Sequence, residues 1–223
     1  MTIPGLPIAE RLQDQLARIY EIESEHSVSE FLVTDRDVVR EIEGDGARDI
    51  PEKLLVRENG DDLDLALYVD HGVLARLEKK DPTERLDGEN LSDFLVLLEG
   101  VSHFVYLTFN AARERPVTLL ELELQAEVDK FVTALFQFGA QDGGRVPRKL
   151  GAILFEDVSF DAALDDHGRE RYETANRVAA KYCTTLESRF LGPRANVRDL
   201  VDDVRRFYRL HQEEKLRAAH EPG

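Results

Sequence analysis

The residues best able to do chemistry lie in one apolar stretch, EGVSHFVYLTFNA, which runs from Glu99 to Ala111. His103 can act as a general base or a metal ligand, and Glu99, four residues earlier, can orient or charge its ring. Tyr106 and Asn110 carry a hydroxyl and an amide that can position a substrate. Glu99, His103, Tyr106 and Asn110 therefore form the predicted catalytic set.

On a helix these four residues fall on one polar stripe, because side chains three and four residues apart are neighbours. The stripe comprises Ser92, Val96, Glu99, His103, Tyr106, Asn110 and Arg113. The rest of the circumference is almost wholly apolar, which predicts a helix at the centre of the fold. Two interpretations stay open. The stripe lines a cleft, or it is structural: a thin solvent-facing edge, or a buried ladder in which Glu99 and His103 satisfy each other.

A metal site at this stripe would have no recognised signature. The ferritin-like pattern needs Glu and His three residues apart, and the zincin pattern needs two histidines. Further acids are available at Glu121, Glu123 and Glu127 of the next predicted helix, although alternate residues there point to different sides. The metal therefore stays undetermined, and no organic cofactor is predicted.

Two other charged segments have both a functional and an ordinary interpretation. The first segment lies at the predicted start of the helix near residue 166 and comprises Asp165, Asp166, His167, Glu170 and Glu173. Its carboxylates and imidazole could hold a cation. Acids also collect at helix starts without any ligand, because the positive end of the helix dipole stabilises them. The glycine-rich loop with Arg145, Arg148 and Lys149 could hold a phosphate, but it lacks the glycine spacing of nucleotide loops.

Two further features lie near the C-terminus. Arg205, Arg206 and Arg209 are interleaved with Phe207 and Tyr208, which suits nucleic acid, an acidic partner or simply an amphipathic last helix. The lone cysteine, residue 183, faces inward on its helix and is expected to behave as a small hydrophobic side chain.

The elements that must position these residues follow from hydrophobic periodicity. Apolar residues at helical spacing predict helices over about 7–24, from 91 towards 116, over 118–139, from 166 to about 192, and from 197 onward. A short helix is expected between Thr34 and Gly44 or Gly46. Residues 71–82 and 150–160 remain ambiguous between helix and strand. Two apolar-rich runs flank Asn59-Gly60, and the second alternates strictly, which predicts a β-hairpin over approximately 53–70, with one face on a core and the other in water.

The predicted fold class is mainly α (α+β): about five to seven helices with the hairpin packed on them. We expect a single domain over residues 1–223, in which a hairpin-containing part, 1–86, packs on a helical part, 87–223. One face of the helix that starts near Leu91 holds apolar side chains at steps of three and four.

Composition narrows the function classes. The 223 residues carry a formal net charge of −16, which argues against nucleic acid as the main partner. One cysteine suits a reducing cytoplasm, and no leader or membrane span is expected. The first functional hypothesis is a cytosolic protein-interaction module or complex subunit, with a protein partner and with a homo-oligomer left open. The alternative is a small-molecule or metal-dependent enzyme with its site at the stripe.

Overall fold

The computed structural model describes residues 6–44, 48–59, 62–147, 150–156, 164–190 and 196–220, without the side chains of residues 58, 59, 62 and 63. Within these ranges the chain forms nine α-helices and a three-stranded sheet, so the prediction of a mainly helical domain with a small β part is confirmed. The number of helices exceeds the predicted five to seven because several short helices occur in addition to the long ones.

The first elements are helix α1 (Ile8–Tyr20), a single 3-10 turn (Val28–Glu30), strand β1 (Leu32–Val33) and helix α2 (Arg36–Glu43). Helix α1 is shorter than predicted because Glu21 adopts a left-handed conformation that ends it. Helix α2 is capped by Asp35, whose carboxylate accepts the Asp37 N–H, rather than by Thr34. Gly44 ends α2 with a positive φ, which glycine adopts without strain.

Strands β2 (Glu52–Asn59) and β3 (Asp62–Val69) form the predicted hairpin, pairing antiparallel from Glu52 opposite Val69 to Asn59 opposite Asp62. Strand β1 pairs parallel with β3 and completes the sheet. The prediction that one face meets water is wrong for part of the sheet. Leu55 and Tyr68 on that face are buried with Val39 of α2, because α2 folds across it.

Helix α3 (His71–Lys79) resolves the first ambiguous segment and is capped by Asp70. Helices α4 (Leu91–Ala111) and α5 (Leu119–Gln141) follow as an antiparallel pair. Thr118 and Glu121 form a capping box at the start of α5. Gly139 does not end this helix, which continues to Gln141, because a single glycine in a helix costs only about 1 kcal/mol relative to alanine.

The remaining helices are α6 (Leu150–Phe155), α7 (Asp166–Phe190), α8 (Val197–Arg209) and α9 (Gln212–Ala218). Helix α6 resolves part of the second ambiguous segment; residues 157–163 lie outside the described residues. Asn196 caps α8, and Val197, the first residue of that helix, is 62% exposed. The sequence analysis did not predict α9 as a separate helix.

Helix α4 lies at the centre of the fold, packed against α1, α3, α5 and both hairpin strands. A single hydrophobic cluster runs from Ile8 to Ala219 and includes most of one face of α4. Helix α4 is also long and apolar enough to span a membrane by length and composition, with 67% of its most apolar window buried inside the protein. Buried core helices of soluble proteins reach the same length and hydropathy, so these two properties are weak evidence for a membrane span.

Candidate metal centre

The middle of the polar stripe, from His103 to Asn110, is buried, so the interpretation of a solvent-facing edge is wrong there, whereas Ser92 and Arg113 at its two ends are exposed. His103 is 7% exposed, and Tyr106 and Asn110 are completely covered. The stripe also divides into two separate environments. Glu99 and His103 meet charged side chains of α5 and β2, whereas Tyr106 and Asn110 contact a different group of residues.

His103 pairs with the neighbouring helix rather than with Glu99. Its Nε2 atom lies 3.5 Å from Oε2 of Glu123, which α5 presents to it across the helix pair. The predicted ladder pairing of Glu99 with His103 is therefore not the main contact of either residue. Glu99 instead forms a 2.6 Å ion pair with Nζ of Lys130, also on α5. The carboxylate of Glu99 nevertheless lies within 4.8 Å of the His103 imidazole.

Glu99, His103 and Glu123 bring one potential ligand atom each into a common space, with all three atoms within 4.8 Å of one another. Within the ranges that the structure describes, this is the one group of three His, Cys, Asp or Glu side chains that converges in this way. Nε2 of His103 is buried and makes no hydrogen bond to any described residue. An imidazole nitrogen and two carboxylate oxygens form a donor set that suits zinc, manganese or ferrous iron.

A third acid reaches the same place from the hairpin. Oε2 of Glu52, the first residue of β2, is buried without a hydrogen-bond partner among the described residues. It fits against α4 because position 100 is glycine: a Cβ atom there would overlap Oε2 of Glu52 and lie 2.7 Å from Cδ1 of Leu67. Burial, reinforced by the charge of Glu99, raises the pKa of Glu52 to about 8.

Cations from two helices border the cluster. Lys130 holds Glu99 on one side and Oε1 of Glu127, at 2.8 Å, on the other. Burial alone would lower the pKa of Lys130, but the charges of Glu99 and Glu127 outweigh it and raise that pKa. From α7, Nε of Arg171 lies 3.7 Å from Oε1 of Glu123. Tyr172, next to it, also interacts with Glu123, and its phenol pKa is raised mainly by burial.

The pKa of His103 reports the excess of negative charge in this cluster. Burial alone would lower it, but contact with Glu123 and the charges of Glu123, Glu52 and Glu99 raise it to about 9. Burial would raise the pKa of Glu99, yet the nearby Lys130 and His103 lower it. The cluster therefore attracts positive charge, whether as a proton or as another cation.

Tyr106 and Asn110, the other two members of the predicted catalytic set, take no part in this cluster. The Tyr106 hydroxyl donates to Oε1 of Glu121 at 3.3 Å, and Arg115 pairs with the same carboxylate at 2.6 Å. Asn110 donates its amide to the Tyr106 backbone carbonyl. Both residues therefore belong to a structural network at the far end of α4.

Glu123 is one of three acids of α5 that the sequence offers to the stripe without singling one out, and neither Glu52 nor Lys130 was among the predicted site residues. The spacing of acids on α5 gave no means of choosing among Glu121, Glu123 and Glu127. Glu52 carries no local signal of burial, since an acid at the start of a strand is ordinarily exposed. The glycine in the middle of an apolar helix, at position 100, was the available hint of a close approach.

Several of the other predicted candidates make contacts within the fold where the structure describes them. Asp165 accepts the Gly168 N–H at the start of α7. Phe207 and Tyr208 are buried, and Arg205 and Arg209 donate to backbone carbonyls of α1 or of the residues after it. The buried thiol of residue 183 has a pKa raised by burial, which disfavours a thiolate nucleophile. Two of the basic residues predicted for the phosphate loop, 148 and 149, lie outside the described residues.

Comparisons with protein-family models, with curated proteins and with solved structures give no match for this chain. A functional assignment therefore has to come from the chemistry of the described residues.

Proposed function

We propose that this protein is a metal-dependent enzyme acting on a small molecule, with a divalent transition-metal ion held by Glu99, His103 and Glu123. The observation that carries the proposal is the convergence of three ligand atoms within 4.8 Å, one of them a buried imidazole nitrogen without a hydrogen bond. Ligand atoms of a tetrahedral site lie about 3.4 Å apart at metal–ligand distances near 2.1 Å, so modest side-chain rotations suffice.

The charge of the cluster supports a divalent ion. Four carboxylates, those of Glu52, Glu99, Glu123 and Glu127, share the region with two permanent cations, Lys130 and Arg171. At neutral pH the raised pKa values of Glu52 and His103 leave a proton on each, so the three ionised carboxylates are matched by Lys130, Arg171 and the imidazolium. A divalent ion bound by Glu99, His103 and Glu123 would displace the imidazole proton and favour loss of the Glu52 proton, so the cluster can accept the ion without a net change in charge.

The reaction class that this donor set suits best is hydrolysis. A divalent ion held there would lower the pKa of a water molecule and so supply a nucleophile at neutral pH. The water oxygen would bond to the electrophilic atom of the substrate as the bond from that atom to the leaving group breaks, and the proton given up by the water would pass through a carboxylate to the leaving group. Glu52 is the residue placed to carry that proton, because its Oε2 atom is buried beside the ligand set and makes no hydrogen bond among the described residues.

Metal binding is the first prediction. Protein freed of metal with a chelator is expected to bind one equivalent of Mn²⁺ or Zn²⁺ in a calorimetric titration. Glu123→Gln and Glu99→Gln keep the side-chain shape and remove a ligand charge, so we expect at least about 100-fold weaker binding. Glu173→Gln, an identical change at an exposed position of α7, is expected to leave the affinity unchanged.

Substitution with Co²⁺ gives a second readout, because its visible absorption reports nitrogen and oxygen ligands directly. His103→Gln should change that spectrum even where the protein still binds Co²⁺. Urea unfolding of each variant separates loss of a ligand from loss of the fold. If the wild-type protein takes up no divalent ion, or if the two glutamine variants bind as well as it does, the cluster is a structural ion network.

The protein-interaction hypothesis stays a prediction with less support. The large apolar side chains that are exposed within the described ranges lie on five different elements, at Ile42, Val56, Leu119, Ile153 and Val197. Ile42 and Val56 border one small hollow of about 120 Å³, and the other three are not part of it, so no large apolar patch is formed among these residues. Analytical ultracentrifugation and recovery of bound proteins from the native cell would test this hypothesis independently of metal binding.

A further inference from the structure

Lys130 of α5 lies among the carboxylates of the candidate metal centre. Its Nζ atom is 2.6 Å from Oε2 of Glu99 and 2.8 Å from Oε1 of Glu127, so two carboxylates share one ammonium group. The side chain of Lys130 is only 13% exposed, so water contributes little to stabilising its charge. A buried ammonium group needs acids around it, and Glu99 and Glu127 are those acids here.

Glu99 links this ammonium group to the candidate metal position. Its Oε2 atom contacts Lys130. One of its oxygens also lies within 4.8 Å of ligand atoms of His103 and Glu123. A carboxylate has two oxygens and can present one to each of two cations. Glu99 is therefore placed to bridge the ammonium group and a metal ion bound beside His103.

The ammonium group corresponds in position to the second ion of a dinuclear carboxylate centre. In such centres two metal ions lie about 3.5–4 Å apart, and glutamates on neighbouring helices hold both of them. Here α4 and α5 supply the glutamates, but one of the two positions is already filled by Lys130. A divalent ion next to it would be repelled by the ammonium charge and would lack room.

We propose that Lys130 takes the place of a second metal ion, so that the centre holds one divalent ion and one ammonium group bridged by Glu99. The assignment of the first position to a metal ion rests on the function proposed above. Lys130 then determines how many ions the centre binds. Without the ammonium group, Glu99 and Glu127 can together bind a divalent ion. Oε2 of Glu52, buried and without a hydrogen bond to a described residue, adds an oxygen in the same region.

The test counts the Mn²⁺ ions bound by the full chain after removal of metal, by calorimetric titration and by electron paramagnetic resonance. We expect one ion for the wild-type protein and two for Lys130→Ala and for Lys130→Gln. Alanine leaves room for an ion and its water molecules, whereas glutamine offers its amide oxygen as a ligand. Two Mn²⁺ ions that share a carboxylate couple magnetically, so the variants should lose the hyperfine pattern of an isolated ion.

Two controls separate the charge at this position from charge elsewhere. Lys130→Arg keeps the positive charge and should bind one ion. Lys181→Ala removes an exposed lysine from α7 and should also bind one ion. Two ions in either control would overturn the proposal, because the count would then not depend on the ammonium charge of Lys130.

Stability measured without metal gives a second readout. Removing the ammonium group leaves Glu99 and Glu127 without their shared cation, so metal-free Lys130→Ala should unfold at a lower urea concentration than the wild type. Mn²⁺ should stabilise this variant more than the wild type, because two ions bind only to its folded state. If neither Lys130→Ala nor Lys130→Gln folds without metal, folding on addition of Mn²⁺ supports the proposal, and failure to fold with Mn²⁺ overturns it.

The outcomes distinguish this inference from the function on which it rests. A second ion in either charge-removing variant supports the inference. If the wild-type protein binds one ion and neither variant binds more, the inference fails and the proposed function stands. If the wild-type protein binds none and the variants bind one, the proposed function fails, and Lys130 still stands in the place of a metal ion. If none of the proteins binds Mn²⁺, both fail.

Discussion

Replacing Asp129 with alanine is expected to lower the free energy of unfolding by about 3–5 kcal/mol, the cost of removing one partner from a buried charged network. Asp129 is 1% exposed and joins three elements. Its carboxylate accepts hydrogen bonds from Tyr20 of α1, from Ser102 of α4 at 2.6 Å, and from Gln125 of α5 at 2.7 Å. Alanine would leave all three donors buried without their acceptor, and each such loss has its own desolvation cost.

The loss at Asp129 should be large relative to the whole stability of the protein, because domains are typically stable by only about 5–15 kcal/mol. For a chain of this size we expect a melting temperature lower by roughly 6–20 °C. Urea denaturation followed by circular dichroism measures the change. Asp202→Ala, at an exposed position of α8, is the control and should shift the free energy by less than about 0.5 kcal/mol. A loss below about 1 kcal/mol for Asp129→Ala would contradict the network described.

Replacing Lys215 with methionine is expected to change how stability depends on pH. Lys215 of α9 is completely buried, donates to Oε1 of Gln125, and lies with Nζ 4.5 Å from the ring centroid of Tyr106. Burial lowers the pKa of Lys215 to about 7, although the charges of Asp129 and Glu121 partly oppose the shift. The folded protein therefore penalises the charged amine.

The sign of the pH effect follows from proton binding in the two states. Between about pH 7 and the ordinary lysine pKa near 10.4, the unfolded chain holds a proton at Lys215 that the folded chain has released. Lys215 therefore makes the wild-type protein more stable as the pH rises through this window. The gain is at most about 1.4 kcal/mol per pH unit, or about 2 kcal/mol between pH 7 and pH 9.

Lys215→Met removes this contribution and keeps most of the side-chain volume. The free energy of unfolding of the variant minus that of the wild type should be highest at pH 6.5 and about 2 kcal/mol lower at pH 9. Urea unfolding at several pH values gives the difference directly, and contributions from other groups largely cancel in the comparison. Lys181→Met, exposed on α7, should give a curve parallel to the wild type. Parallel curves for Lys215→Met would show that the buried amine keeps its ordinary pKa.

The contribution of sequence to this fold was greatest where structure is local. The periodicity of Phe94, Leu98, Val101 and Val105 determines α4, and the alternation on both sides of Asn59-Gly60 determines the hairpin, because both patterns follow from backbone geometry. The capping box at Thr118 was likewise readable, since its two members lie three residues apart. Helix α9 was missed because its seven residues are too few to show a clear period.

The candidate site shows the limit of the same reasoning. A shared helical face placed Asn110 with His103, but the helix rises 1.5 Å per residue, so Asn110 lies about 10 Å further along the axis. One metal ion or one small substrate group cannot touch both. The sequence could place Glu99 and His103 together on α4, because they are separated by a single turn.

Only the tertiary structure decided which residues meet those two. Glu123 rather than Glu121 faces His103, and Glu52 arrives from a strand distant in sequence at the point where Gly100 leaves room. The sequence by itself determined the elements, their caps and the polar stripe, since each depends on neighbours within a few positions. The pairing across α4, α5 and β2 depends on the angles and offsets at which these elements pack, and these are set by the fit of the whole core.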